Sequence, residues 1–421
     1  MRVPAIHVAD SSAALQRTSV DVTIVMPCLN EIQCLPHCIC NAKEALRRIK
    51  SEYGLTGEIV VADNGSTDGS QMIANGLGAR VVAVEQRGYG AALIGGATAA
   101  SGRFVLMGDA DGSYDFTDGV AMIGELVAGA ELCMGSRFKG GISPGAMPWK
   151  NRYIGNPILT GILNLFFRAG ISDAHSGLRA IRKDAFLGLA LSGSGMEFAS
   201  EMVIKAALKR LKISETPVKL LPDLRDRPPH LRPWRDGWRH LRYLVMLSPS
   251  WLFGVPAAVG ALVSAALLLA AITHMFVPAA FPAVGNYWAI FAAALLGISH
   301  MSAIFTAAGN LYGVRAGYRL SNSFSKRLAN LVSLETMLVT GGLAALSGLG
   351  VLTLVLWEWR ARDFGATYSV VPAVVGTLLV TLGLQNALGG FLLAIVGGNE
   401  ARFMSTPTEE AAVADEVDLA A

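Results

Sequence analysis

Short apolar runs alternate with helix-period stretches over the first half of the chain. Thr23-Ile-Val-Met predicts a strand, and a helical stretch follows to about Lys50. Glu58-Ile-Val-Val-Ala predicts the next strand, which ends in the turn-rich run Asp63 to Asp68. A short helix leads to Arg80-Val-Val-Ala-Val, residues 90–101 are small and helical, and Phe104-Val-Leu-Met is another strand. Strands alternating with helices at this spacing predict an α/β domain with a mostly parallel sheet covered on both faces. Ligands of such sheets sit beyond the carboxyl ends of the strands. Those ends here carry PCLNE (27–31), the 63–68 run and GDADG (108–112).

The pattern changes in the second half. No Lys, Arg, Asp or Glu occurs from Tyr243 to Val314, and two further uncharged runs cover Thr336–Trp357 and Phe364–Asn399. A membrane-spanning helix needs about 20 mainly apolar residues. Pro278, Pro282 and Gly285 break the longest run, so four transmembrane helices are predicted near 250–273, 287–309, 336–357 and 370–397. Composition agrees: 52% of the 421 residues are hydrophobic and mean hydropathy is +0.45, too apolar for a wholly soluble protein. Residues 1–20 have no apolar core and do not resemble a signal peptide, which predicts that the first 240 residues stay in the cytoplasm. The 274–286 connection has no Lys or Arg, whereas 310–333 carries Arg315, Arg319, Lys326 and Arg327 and is expected on the cytoplasmic side. The 358–363 loop, with two Arg, fits that scheme less well. The expectation is an integral plasma (inner) membrane protein with both termini cytoplasmic. Its parts would be a disordered N-terminus (1–20), the α/β domain (21–224), a juxtamembrane basic amphipathic helix (225–248), a four-helix transmembrane domain (249–400) and an acidic disordered tail (401–421). A net charge of +3 argues nothing about partners, no nucleic-acid partner is expected, and a homo-oligomer stays open.

Chemistry enters at GDADG. Side chains two apart on a strand point to one side, so Asp109 and Asp111 can aim two carboxylates at one point if strand geometry holds that far. Two anions at one site are stable around a divalent cation, and a hard site with few protein oxygens suits Mg²⁺ or Mn²⁺. The plainer alternative is a solvated Asp-Gly turn. Asp63 and Asn64 can read base edges or ribose hydroxyls, cap a turn, or do both. Arg87-Gly-Tyr-Gly90 opens a helix in a manner suited to phosphate, but Leu93 stands where a dinucleotide fingerprint needs Gly. Cys28, Cys34, Cys38 and Cys40, with His37, match no closed zinc spacing and read as reduced thiols. Residues 225–242 hold six Arg against two Asp. From Trp234 they fall on a helix with a Trp234, Trp238, Leu241, Val245 stripe beside Arg235, Arg239 and Arg242, the pattern of an interfacial helix. It serves as an anchor alone, or as an anchor that also cradles an acceptor.

PCLNE (27–31), DNGSTDGS (63–70), RGYGAAL (87–93), GDADG (108–112), GSRF (135–138) and DAHSGLRAIRKDAF (173–186) occur in this order. Over residues 20–245 the set resembles family 2 glycosyltransferases of the dolichol-phosphate mannose synthase and polyprenyl-phosphate glycosyltransferase type. The resemblance implies a GT-A fold and an inverting transfer of a hexose from a nucleotide diphosphate sugar (UDP-glucose or GDP-mannose) to a polyprenyl phosphate. It implies that Pro27, Leu29 and Glu31 hold the nucleoside, with Leu29 where Tyr is frequent, and that Asp63 and Asn64 stand for an Asp-Asp pair. Asp109, Ala110 and Asp111 match the metal and diphosphate motif, with Ser113 where Gln is frequent. Arg137 matches an Arg that contacts phosphate, and Arg225, Arg227 and His230 lie near further acceptor-phosphate cations. A lipid phosphate is already anionic at neutral pH, so catalysis by Asp109, Asp111 and Arg137 would consist of holding two anions together rather than of strong base chemistry. A processive polysaccharide synthase would carry Q-x-x-R-W, and this chain has Pro233-Trp-Arg-Asp-Gly-Trp with no such Gln. A non-catalytic membrane scaffold with a transferase-like domain is disfavoured by the intact Asp109 and Asp111.

Overall fold

The computed structural model describes residues 20–226, 233–281, 284–320, 333–367 and 369–398. The expected disordered termini, Arg227 and His230 lie outside these residues. The chain divides at Leu241/Arg242 into two compact units.

In the first unit, β1 (Val22–Cys28), β2 (Gly57–Asp63), β3 (Arg80–Ala83), β4 (Phe104–Met107), β5 (Leu132–Ser136), β6 (Arg179–Arg182) and β7 (Ile213–Pro217) form one sheet in the order 3-2-1-4-6-5-7. All neighbours are parallel except β6, which runs antiparallel to both β4 and β5. The domain is therefore the mostly parallel α/β sheet, of GT-A type, that the resemblance implied. Helices α1 (Leu35–Tyr53), α2 (Ser70–Gly76), α3 (Tyr89–Ala99), α4 (Gly119–Val127), α5 (Arg137–Gly140), α6 (Asn156–Phe167), α7 (Lys183–Gly188) and α8 (Phe198–Leu208) complete it. Val22, Ile24, Val25 and Met26 of β1 are all buried, as a central strand covered on both faces demands. α1 starts with Pro in its first turn and stops at Gly54, whose φ of 70° a side chain would resist. The register pairs Cys28 with Asp63 and Val25 with Met107, so β1 and β2 end side by side and β4 stops short of them, opposite Val25.

α9 (Pro233–Met246) carries the division between the units. Trp238 is exposed, and the side chain of Trp234 lies outside the description. His240 is buried, its Nδ1 2.8 Å from Ser200 Oγ of α8.

The second unit holds four helices long and apolar enough to cross a membrane: Ser250–Phe276, Asn286–Arg315, Leu334–Ala361 and Val371–Gly397. Their regular parts are α10 (Val255–Phe276), α11 (Asn286–Arg315), α12 (Leu334–Ala361) and α13 (Val371–Gly397). The second and third overrun the predicted limits because their charged last turns still continue the helix. Lipid offers no hydrophobic drive between helices, so close packing and polar contacts join them. A Cβ on Gly341 would lie 2.6 Å from Gly383 O, and one on Gly348 2.6 Å from Gly376 O, which brings α12 and α13 backbone to backbone. Adjacent residues of α13 reach to different neighbours: Gln385 Oε1 is 3.1 Å from His300 Nδ1 of α11, and Asn386 donates to Met337 O and Thr340 Oγ1 of α12 at 3.0 and 2.8 Å. Arg315 at the end of α11 donates to the terminal carbonyls of Ile395 and Val396 of α13. Arg319 reaches Leu247 O at 2.8 Å. The basic end of α11, the end of α13 and the entry to α10 thus share one side.

Gly383→Leu should force α12 and α13 apart. Overpacking of this kind costs about 1–3 kcal/mol, so the melting midpoint in detergent should fall by about 5 °C. Gly342→Leu, at a position with nothing within 4 Å of a Cβ, should leave the midpoint unchanged.

Candidate active site

Two loops are laced together at the ends of β1 and β2. Asn30 sits at φ 57° and its Oδ1 accepts from Thr67 N at 2.8 Å, while its own N–H donates to Ser66 Oγ at 2.9 Å. Glu31 N donates to Ser70 Oγ at 3.1 Å and Ile32 N to Asp68 Oδ2 at 3.0 Å. This fixes Pro27, Leu29 and Glu31 as one rim. Asp63 and Asn64, both buried, are used mainly to shape it. Asp63 accepts from Gly65 N, Ser66 N and Gln71 Nε2, at 2.6–3.2 Å. Asn64 donates to Val84 O and Gln86 O at 3.0 and 2.8 Å and accepts from Gly88 N at 2.7 Å. Its amide therefore fixes the β3–α3 turn, and the Asx-type turn bonds at 65–66 come from Asp63 instead.

The glycines of RGYG need a different reading from the phosphate cradle. A Cβ on Gly88 would lie 2.1 Å from Ser194 O and one on Gly90 2.1 Å from Gly193 O, and Ala91 N donates to Ser194 O at 3.1 Å. The start of α3 faces the 193–195 backbone, so these glycines serve close packing.

GDADG also differs locally from the extended geometry the sequence suggested. β4 ends at Met107, and a turn over 110–112, with Gly112 at φ 79°, carries Asp111. Buried Ala110 lies between the two carboxylates. Asp111 Oδ1 accepts from Ser113 N and Oγ at 3.0 and 2.6 Å, and Oδ2 accepts from Arg225. Ser113, where the family often has Gln, thus braces the carboxylate. Arg225 also reaches Glu31 at 3.4 Å, so one guanidinium links PCLNE to GDADG. Burial works against its charge, but Asp111 and Glu31 outweigh that and hold its pKa above the ordinary range. The strap before Arg225 is paired to the same loop: Leu221 N donates to Ser113 O and Leu224 N to Asp111 O, each at 2.9 Å.

Asp109 accepts from Tyr89 OH at 2.9 Å. Burial and then the Asp111 charge push its carboxyl up to about 6, against help from Tyr89, Arg225 and Arg179. Burial, with Asp109 alongside, drives Tyr89 well above the usual phenol value. Tyr89, Arg179 and Tyr114 were not singled out from sequence; the only signal was their place inside RGYG, DAHSGLR and the residues after GDADG. Tyr114 OH accepts from Gly177 N at 2.8 Å.

Arg137 is buried and grips Asp173 through Nε and Nη2 at 2.7 and 2.8 Å, with its backbone N–H on the same carboxylate at 3.1 Å. Burial opposes its charge, but Tyr114 and Asp173 outweigh it and raise its pKa. Asp173 is the partner that sequence reading missed. His175, two residues on, is held neutral, its pKa pushed well below the ordinary value by burial and by His240. Cys28, Cys34 and Cys38 are buried free thiols, and among the described residues no group of three or more His, Cys, Asp or Glu could hold a metal. Any cation here would rest on Asp109 and Asp111 alone, with its remaining ligands from elsewhere.

Paired carboxylates thus stand at the strand ends of a mostly parallel sheet, in a chain with four membrane-length helices. Residues 23–188 match the model "Glycosyl transferase family 2", and 307–397 match "Glycosyltransferase family 2 C-terminal transmembrane region". The low-salt glycan biosynthesis hexosyltransferase Agl6 of Haloferax volcanii is 35% identical over 377 residues, 89% of each chain. A dolichyl-phosphate hexose transferase of the same organism is 26% identical over 198 residues, 47% of this chain and 82% of that one. The crystal structure of glucosyl-3-phosphoglycerate synthase from Mycobacterium tuberculosis with Mn²⁺ and UDP-glucose aligns at 20% identity and TM-score 0.40, over 54% of this chain and 78% of that one, a likeness too distant to bear on the site. The chain belongs to glycosyltransferase family 2. It is an integral membrane hexosyltransferase related to the dolichyl-phosphate hexosyltransferases.

Because Asp109 titrates near 6 when folded, above the ordinary 3.8, folding takes up a proton in that window and stability falls as pH rises through it. Asp109→Asn should therefore stabilise the chelator-treated protein at neutral pH by about 1–3 kcal/mol. It should match the parent below about pH 3, where both states are protonated. Denaturant melts at the two pH values check the sign. Asp173→Ala should act oppositely, costing about 3–5 kcal/mol, because it leaves Arg137 buried without its carboxylate.

Proposed function

We propose that this hexosyltransferase moves a sugar from a nucleotide diphosphate donor, UDP-glucose or GDP-mannose, to a polyprenyl phosphate at the cytoplasmic face of the plasma membrane, with inversion, for cell-envelope glycan assembly. The observation that carries the reading is the meeting of Asp109, Asp111, Glu31 and the strap cation Arg225 beyond the ends of β1 and β4. Such a site is built to balance anions, and the chemistry brings two anions together.

The donor set fits a hard divalent cation. Burial and the Asp111 charge raise the cost of ionising Asp109, and Mg²⁺ or Mn²⁺ held by the two side chains would relieve it. When bound, the ion supplies charge neutralisation for the leaving diphosphate. Ser113 fixes the direction of the Asp111 carboxylate and Tyr89 that of Asp109. Glu31, Pro27 and Leu29 form the rim for the nucleoside, with Asp63 and Asn64 holding that rim in shape. Arg225 is the cation able to exchange a carboxylate for a phosphate, since it extends from a strap outside the sheet and pairs with the Asp111 and Glu31 carboxylates. Arg137 lends a fixed positive charge to the same region through Tyr114. Arg227 and His230 follow Arg225 in the sequence and extend the proposed acceptor cradle. An acceptor phosphate needs no strong base, which agrees with a neutral His175. The cytoplasmic assignment draws support from Arg315 and Arg319, which mark the side where α10 is entered and α13 ends.

The test is purified full-length protein with a panel of nucleotide sugars and polyprenyl phosphate, with lipid-linked product read by mass. Asp111→Ala should abolish transfer and Arg225→Ala should weaken use of lipid phosphate by at least tenfold, the order expected when a charge-assisted pair is lost. EDTA should stop the reaction and Mg²⁺ or Mn²⁺ restore it. Free polyprenol should be inert; its glycosylation would overturn the electrostatic account.

A further inference from the structure

Sequence patterning left the stretch before and within α6 unassigned. On the catalytic unit five large apolar side chains stand exposed there: Trp149 (61%), Tyr153 (67%), Ile154 (47%), Ile158 (55%) and Leu165 (57%). Ile154, Ile158, Gly161 and Leu165 recur at steps of four, three and four, so they form one helical stripe. The opposite face is seated in the domain through Thr160, Leu163 and Phe167. A bare stripe of this kind marks an interaction surface.

Its surroundings specify the partner. Lys150 stacks on the Trp149 ring with its Nζ 6.0 Å from the centroid, and Arg152 on Tyr153 at 5.4 Å. Arg168 ends the helix, and no Asp or Glu occurs between residues 132 and 172. Apolar stripe, aromatic rings and flanking cations without acids complement an anionic lipid surface, with rings at headgroup depth and cations on phosphates. The chain also supplies the bilayer: the catalytic unit ends at Leu241 and the first membrane-length helix starts at Ser250, so the unit that carries α6 is tethered to a membrane segment. We propose that residues 148–168 are a second membrane-docking element, which inserts its Ile154–Ile158–Leu165 stripe into the headgroup layer of anionic phospholipid.

Docking bears on the site through short clamps. Asn164 brackets Ile171, donating to its O at 2.7 Å and accepting from its N at 3.3 Å, and Thr160 Oγ1 accepts from Ala174 N at 3.4 Å. Between those two points lies Asp173, which holds Arg137. Contact with lipid therefore steadies the loop that orients the buried cation.

The experiment uses the full-length chain in nanodiscs of mixed phosphatidylcholine and phosphatidylglycerol, in a Cys40→Ser background. A nitroxide is attached at Ile158→Cys, at Leu165→Cys, and at Met72→Cys on α2 as the aqueous reference. Relaxation by oxygen relative to a water-soluble nickel complex should be about tenfold higher at 158 and 165 than at 72, the contrast expected between headgroup-layer and aqueous positions. Equal ratios at all three positions would overturn the proposal. A label shielded from both reagents would overturn it too, since a protein, a second copy included, would then cover the stripe. The double change Ile158→Glu, Leu165→Glu should raise KM for a nanodisc-borne acceptor about tenfold and leave donor KM unchanged, as loss of a two-signal anchor predicts. The label readout does not depend on which acceptor is used, so its failure and that of the proposed reaction are distinguishable.

Discussion

Crowding of like charge at the end of β4 is the constraint to which the rest of the catalytic unit answers. Asp109 cannot ionise cheaply in its buried place beside the Asp111 charge. Ser113 braces one carboxylate, Tyr89 the other, Arg225 reaches in from the strap, and Arg179, fully buried, lends its charge from behind. Each of these partners comes from a different part of the chain. The antiparallel strand β6 brings Arg179 beside Met107, because its register pairs those two residues directly. A sheet that was parallel throughout would not place that cation there.

The alternation of short apolar runs and helical stretches made the sheet legible, since a covered central strand has to be continuously apolar and β1 is. The four membrane helices were legible for the same reason: lipid admits no charge over about 20 residues. Local periodicity could not reveal β6, whose four residues, Arg-Ala-Ile-Arg, have two charged ends. Nor could it show how side chains use their hydrogen bonds. Asn64 looks like a recognition group in sequence and is a turn clamp in space; Arg137 looks like a free phosphate ligand and is locked to Asp173. Both partners lie 20 or more residues away, beyond the reach of a motif. The glycines of RGYG invite a phosphate reading for the same reason, because the 193–195 backbone that requires them is about a hundred residues downstream.

The membrane unit solves a separate problem with few means. Its helices have no water to drive them together, and α13 holds the group by small residues on one face and two adjacent amides, Gln385 and Asn386, directed at different neighbours. That economy leaves large apolar side chains of α13 exposed, Leu388 and Ile395 among them.

The hydrogen bond between His240 and Ser200 bears on where the enzyme can be divided. Charge pattern draws a natural border at residue 224, where the α/β domain gives way to the basic run. A fragment cut there would lose Arg225 from between Glu31 and Asp111 and would open the pocket that His240 fills beside His175. As a modular part, to be grafted onto another anchor or expressed by itself, the transferase domain ends after His240, inside what reads from sequence as its membrane attachment.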